Sequence, residues 1–127
     1  MIVIEERFSS LANKIGQVSN MIKDFIKDNP PEFLNMSFKV NLIIDNKDYC
    51  FIISQENSSF EKGHNKFTEF KVIASSKFWL DVFDGNYTFF GGYAEGLVEI
   101  PNFKPHRYKV FLISGLISML LNMNMNF

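Results

Sequence analysis

The sequence predicts an α+β domain in which a small, mostly antiparallel sheet is covered by helices. Three observations predict it. An apolar stripe at helical spacing opens the chain. Two apolar runs of strand length, the first strictly alternating, follow across a short polar turn. A long, nearly continuous apolar helix closes the chain. At 127 residues the chain implies one domain, residues 1–127, with a sizeable core.

The opening stripe is Phe8, Leu11, Ile15, Val18, Ile22 and Phe25. Alternating steps of three and four put all six on one side of a helix. Met21 and Ile26 widen the stripe. Ser9 or Ser10 suits an N-cap, whereas Glu5 and Glu6 suit an earlier first turn, where carboxylates favour the helix dipole. Pro30 and Pro31 stop the helix near Asp28, because proline lacks the N–H and clashes with the preceding turn.

Phe38, Val40, Leu42 and Ile44 alternate with Ser37, Lys39, Asn41 and Ile43, the period of a half-buried strand. Asn46-Lys47 reads as a two-residue turn, and Tyr49 to Ile53 returns as a second strand. Gln55 to Lys66 is polar, contains Gly63, and reads as a loop or a frayed hairpin tip. Phe67 to Ser75 reads as a third strand, with Phe70, Val72 and Ala74 on one face. The short connections favour an antiparallel meander.

In the second half, Ser75 or Ser76 caps a short helix carrying Phe78, Trp79, Val82 and Phe83, and Gly85 ends it. Asn86 caps another, carrying Phe89, Phe90 and Tyr93. Gly91-Gly92 weakens that helix by about 1 kcal/mol per Gly. The pair marks either a mobile turn or a place where the backbone approaches something closely. Gly96 ends the helix, and Leu97 to Ile100 is a short strand closed by Pro101. The last helix runs from about Pro105 to Asn122. Its apolar run, Val110 to Leu121, would extend about 18 Å, against about 30 Å of bilayer hydrocarbon, so it is not a membrane span. The run is apolar nearly all round. One face packs on the sheet, and the other needs more protein, a second subunit or a ligand.

The net charge of −1 carries no nucleic-acid footprint. Cys50 is the one cysteine, which excludes an intrachain disulfide and fits a reducing cytosol. The N-terminal MIVIEERF lacks a basic n-region, a long apolar h-region and a cleavage site, so no signal peptide is expected and the reading is cytoplasmic. No G-x-G-x-x-G or phosphate loop is present, and His64, His106 and Cys50 have no metal-ligand spacing. Asp81, Asp84, Glu95 and Glu99 flank turns, where carboxylates are usually solvated or capping. Ser114-Gly115 sits in an apolar helix and not at a nucleophile elbow. No catalytic residue, metal or cofactor is expected, and the chain does not read as an enzyme.

The compositional outlier is phenylalanine, 15 residues in a chain that is 46% apolar. Phe builds cores and lines apolar pockets alike. The candidate ligand-binding residues are Trp79, Phe83, Phe89, Phe90, Tyr93, Phe111, Ile113, Leu116, Ile117 and Leu120, under the helices. An ordinary close-packed core fits the same letters, and the response to filling separates the two. Lys104, Arg107 and Lys109, with His106, stand at the start of the last helix. Free N–H groups and cations there favour an anionic headgroup or a membrane surface; a solvated basic loop is the plain alternative.

The run from Val72 to Leu120 resembles the sterol carrier protein 2 (SCP2) domain. The matching pieces are the strand ending in Ser75-Ser76, Phe78 and Val82 before Gly85, and Tyr93-Ala94 before Gly96. Leu97-Val98-Glu99-Ile100 resembles the family's short strand, and Leu116 to Leu121 its closing helix. Pro101 stands where the family often has Gly, and Asn102 at its usual acidic or Asn position. The resemblance implies a mixed, mostly antiparallel sheet of four to five strands, with N-terminal, short middle and C-terminal helices on one side. An apolar tunnel would lie between sheet and helices. The function implied is intracellular, non-catalytic binding or carriage of a fatty acid, sterol-like molecule, isoprenoid or other lipid. The alternative is an interaction or accessory module that uses the C-terminal helix for homodimerisation or for docking on an enzyme.

Overall fold

The fold was obtained as a computed structural model, which describes residues 3–25, 38–54 and 58–122. The element order is α1 (Val3–Phe25), β1 (Phe38–Ile44), β2 (Lys47–Ile53), β3 (Ser59–Lys62), β4 (Lys71–Ala74), α2 (Ser76–Phe83), α3 (Phe89–Ala94) and α4 (Phe103–Asn122). The strands form one mixed sheet in the order β3-β2-β1-β4. β1 pairs antiparallel with β2, and β2 antiparallel with β3, while β4 runs parallel to β1.

Register follows from the alternation. Val40 stands opposite Phe51, and Leu42 opposite both Tyr49 and Val72. These side chains therefore share the sheet's inner face with Phe38, Ile44, Ile53 and Ala74, and all are buried. A one-residue slip would turn the whole set to the other face, so burial holds the register. The β1–β2 turn uses Asp45 and Asn46, at φ 51° and 66°, one residue earlier than the sequence suggested. Positive φ at both central residues is the twist-compatible hairpin geometry, and Asn and Asp tolerate it.

The antiparallel meander of three successive strands is not what forms. The third strand in sequence is β3, inside the segment read as a loop. Its one apolar residue, Phe60, stacks on Tyr49 and Phe8 with ring centroids 5.0 and 4.9 Å away. The remaining residues of β3 are polar, so no alternation announces it. The strand expected over Phe67 to Ser75 shortens to Lys71–Ala74 and pairs parallel with β1. Asn41 explains how the chain gets there. Its amide Nδ2 donates to the carbonyls of Asn65 and Thr68 at 2.9 and 3.2 Å, and its Oδ1 accepts from the Asn65 N–H at 2.9 Å. Asn41 points away from the inner face, so the crossover from β3 to β4 runs over the outer face of the sheet, fastened to β1. The expected strand Leu97–Ile100 reduces to one antiparallel bridge, in which Ile73 and Glu99 exchange N–H···O bonds of 2.9 Å.

α1 starts three residues into the chain, the earlier of the two starts considered, with Glu5 and Glu6 in its first turn. Phe8, Leu11 and Ile15 are buried, joined by Ile4 and Ala12. The side chains of Val18, Met21, Ile22 and Phe25, together with Ile26, Asp28, Pro30 and Pro31, lie outside the described residues. Ser75 caps α2 by accepting from Phe78 N–H, and Gly85 follows with φ 78°. The α3 cap is Thr88, not Asn86: its Oγ1 accepts from Gly91 N–H at 2.9 Å. Arg7 ties α1 to the end of α2 through a 2.8 Å pair with Asp84. α4 begins at Phe103, two residues before the expected start.

Candidate apolar-ligand site

Between the inner face of the sheet and three helices lies a closed void of about 20 Å³. Phe8, Leu11 and Ile15 of α1 form one wall. Val40 and Leu42 of β1 with Phe51 and Ile53 of β2 form the floor. Trp79 of α2 and Ile113, Leu116 and Ile117 of α4 complete it. The space amounts to about one water, but a buried water needs two to four polar partners and hydrocarbon offers none.

A second, larger space lies on the outer side of α4. This surface groove of about 300 Å³ is lined by Tyr108, Phe111, Leu112, Gly115, Leu116 and Met119. Leu116 lines both spaces. Its side chain is the partition between the sealed void and the open groove. Phe111 is 54% exposed and leans on Phe90 of α3, with ring centroids 4.8 Å apart.

Four of the ten candidate lining residues, Trp79, Ile113, Leu116 and Ile117, meet at the void. Phe111 lines the outer groove beside Phe90. Phe83 and Phe89 are buried against Trp79 at 5.9 and 5.4 Å between centroids. Tyr93 stacks on Phe103 at 4.9 Å, and Leu120 is wholly buried. Sequence reasoning did not single out the floor residues or the α1 wall. Periodicity gave their inward face, but no signal says which inward residues border a gap.

The basic cluster divides. Lys104 and Arg107 are exposed. Lys109 turns back onto the core edge, with Nζ 5.8 and 5.9 Å from the ring centroids of Phe38 and Phe70. His106 stacks on Phe70 at 5.2 Å. Burial, reinforced by the Lys109 charge, holds its pKa below the ordinary value, with Glu69 opposing. Asn102 Nδ2 donates to the Glu69 carbonyl at 2.8 Å, which fastens the start of α4 to the chain leading into β4.

Other polar groups are occupied structurally. Asp45 accepts from Ser76 Oγ and N–H at 2.6 and 3.2 Å, and these bonds lower its pKa. Burial raises the Cys50 thiol, so it stays protonated and unreactive. Among the described residues no cluster of His, Cys, Asp and Glu could hold a metal, and no helix is long and apolar enough to cross a membrane.

No protein-family model matches the chain, and no curated protein matches it. Solved structures do. A conserved hypothetical protein from Thermus thermophilus, described as possibly a sterol carrier protein, superposes with TM-score 0.62 and 10% identity, over 100% of this chain and 92% of that one. A crystal structure of sterol carrier protein 2 gives 0.58 and 10%, over 92% of this chain and 95% of that one. Palmitated SCP2L2 from Aedes aegypti gives 0.55 and 10%, over 86% and 92%. This is the SCP2-like fold. In this chain the SCP2-like sheet and helices meet around the void and the Leu116 partition.

Proposed function

We propose that the protein binds and carries an apolar molecule, without chemistry, between its sheet and its helices. The observation that carries this reading is Leu116. One side chain separates an all-apolar interior gap from an apolar surface groove, so its displacement, with a small shift of α4, joins the two. The SCP2-like fold supports it, and so does the palmitated state of one solved relative in fold. Trp79, Ile113, Leu116 and Ile117 would meet the ligand first. Phe90 and Phe111 would flank its passage, with Phe83, Phe89, Tyr93 and Leu120 as the packing behind.

Energetics allow it. Burying a C16 chain at about 0.8 kcal/mol per CH₂ gains roughly 12 kcal/mol. Association and opening of the closed walls remove a large part, which leaves roughly micromolar affinity. The ligand is a lipid such as a fatty acid, sterol-like molecule or isoprenoid. A reducing, cytoplasmic setting suits the lone buried thiol of Cys50. Lys104, Arg107 and the exposed face of α4 would meet the anionic lipid surface that supplies the ligand.

The test is Leu116→Trp. A side chain that already faces the groove has room to turn outward, so the melting temperature stays close to wild type while displacement of a fluorescent fatty acid is lost. Binding of no fatty-acid, sterol or isoprenoid probe by the wild type, with a Leu116→Trp protein destabilised by about 1–3 kcal/mol, would sink the carrier reading. Native mass spectrometry of the purified protein adds the alternative: an empty dimer would favour an interaction module using α4.

A further inference from the structure

The side chains that line the void are hydrocarbon with one exception. Trp79 carries the only polar side-chain atom on that wall, and this atom, the indole Nε1, is buried with no hydrogen-bond acceptor among the described residues. Trp79 is itself 1% exposed. A buried indole N–H normally finds a partner, because an unpaired donor has given up its bond to water for nothing. The rings of Phe8, Phe78, Phe83 and Phe89 stand around it with centroids 5.0–5.9 Å away. They offer only the weak acceptance of a π face. Water does not resolve the deficit either, since the wall would give a bound water this single donor.

We infer that Trp79 Nε1 is the polar recognition point of the cavity and donates to an oxygen of the bound molecule. The inference rests on the carrier reading and narrows its ligand class. The wall contains no cation, so an ionised carboxylate seated at Trp79 would lie buried and unpaired. The oxygen is therefore neutral: a hydroxyl, ketone or ester carbonyl on an otherwise apolar molecule, with that oxygen innermost. A plain hydrocarbon fills the same space and leaves the donor orphaned.

Trp79 is the only tryptophan in the chain, so one indole cross-peak in a ¹H–¹⁵N spectrum reports this atom alone. The probes are 1-dodecanol and dodecane, equal in chain length. With wild-type protein, dodecanol moves the indole peak downfield in the proton dimension, and dodecane leaves it near the ligand-free position. Trp79→Phe keeps a ring and removes the donor. It lowers the preference for dodecanol over dodecane by about 3- to 10-fold, the worth of one neutral hydrogen bond. Any change in cavity volume affects both probes alike and cancels in that ratio. The wild-type spectra answer the question even where the variant does not fold. If both probes bind and the indole peak does not distinguish them, or the preference survives in Trp79→Phe, the donor role is overturned and the carrier reading stands. If neither binds, both fall together.

Discussion

The ring of Phe78 occupies the space that a side chain at Gly92 would need. A Cβ built on Gly92 would fall onto the ring edge at Cε1 and Cζ. Phe78 is 5% exposed and held by Trp79, Tyr87 and Phe89 at 5.9, 5.8 and 6.4 Å between centroids, so it has nowhere to swing. Of the two roles open to the Gly91-Gly92 pair, Gly92 shows the close approach: it seats α3 on α2. A helical Gly→Ala change is ordinarily stabilising by about 1 kcal/mol. Here Gly92→Ala is expected to destabilise by about 1–3 kcal/mol through overpacking. Gly115→Ala on α4, where a Cβ meets nothing within 4 Å, keeps the ordinary sign. Urea denaturation of the two variants reads both signs. Equal shifts would show that Phe78 yields.

Periodicity made part of this fold legible. Alternation from Phe38 to Ile44 marks the inner face of β1, the heptad-like steps mark α1, and Ser75, Gly85 and Gly96 punctuate the helices as their chemistry requires. Strand order was not legible. β3 has one apolar residue, and the parallel partner of β1 is chosen by the crossover that Asn41 fastens, a long-range bond with no local trace. The same holds for the site. Phe89 and Leu120 are as apolar as Ile117, yet they pack solidly while Ile117 borders a gap. Whether an inward residue meets a void depends on how four separate elements come together.

Asn41 reads as a solvent-side residue of a half-buried strand, yet it is 1% exposed. Three backbone groups of the crossover depend on its amide. Asn41→Ala would strand them, and at about 1–3 kcal/mol for each buried group left unpaired, a loss of about 3 kcal/mol or more is expected. Hydrogen exchange localises the effect: the Asn65 amide, which donates to Asn41 Oδ1, should lose protection while the β1–β2 ladder keeps most of its own. Uniform loss across the sheet would mean that Asn41 supports the strand itself and not the crossover.

His106 supplies a pH dependence with a definite sign. Its pKa is lowered in the folded protein, first by burial and then by the Lys109 charge. Below about pH 6.5 the unfolded chain takes up a proton that the folded chain resists. Stability is therefore full above about 6.5 and declines as pH falls below it, towards the folded value. Urea midpoints between pH 7.5 and 5.5 should drop for the wild type. His106→Phe, which keeps a ring against Phe70 and does not titrate, should flatten that slope. An unchanged slope would place the acid sensitivity elsewhere.

The outward side of α4 combines two cations with apolar groups. Lys104 and Arg107 are exposed at its start, Tyr108 and Phe111 are 53% and 54% exposed after them, and no carboxylate occurs between Phe103 and Asn122. Lys109, drawn onto Phe38 and Phe70, is not part of this face. Cations beside exposed aromatics match an anionic lipid surface, where each Lys or Arg contributes about 1 kcal/mol. Vesicles containing phosphatidylglycerol are expected to bind the protein, and the binding should weaken as salt screens the attraction. Removing both cations in Lys104→Ala/Arg107→Ala should cost about 30-fold, the equivalent of about 2 kcal/mol. Phe111→Ser should instead lower the salt-resistant part of the binding. Vesicle binding that ignores both salt and the double substitution would separate this face from lipid and leave a protein partner as its occupant.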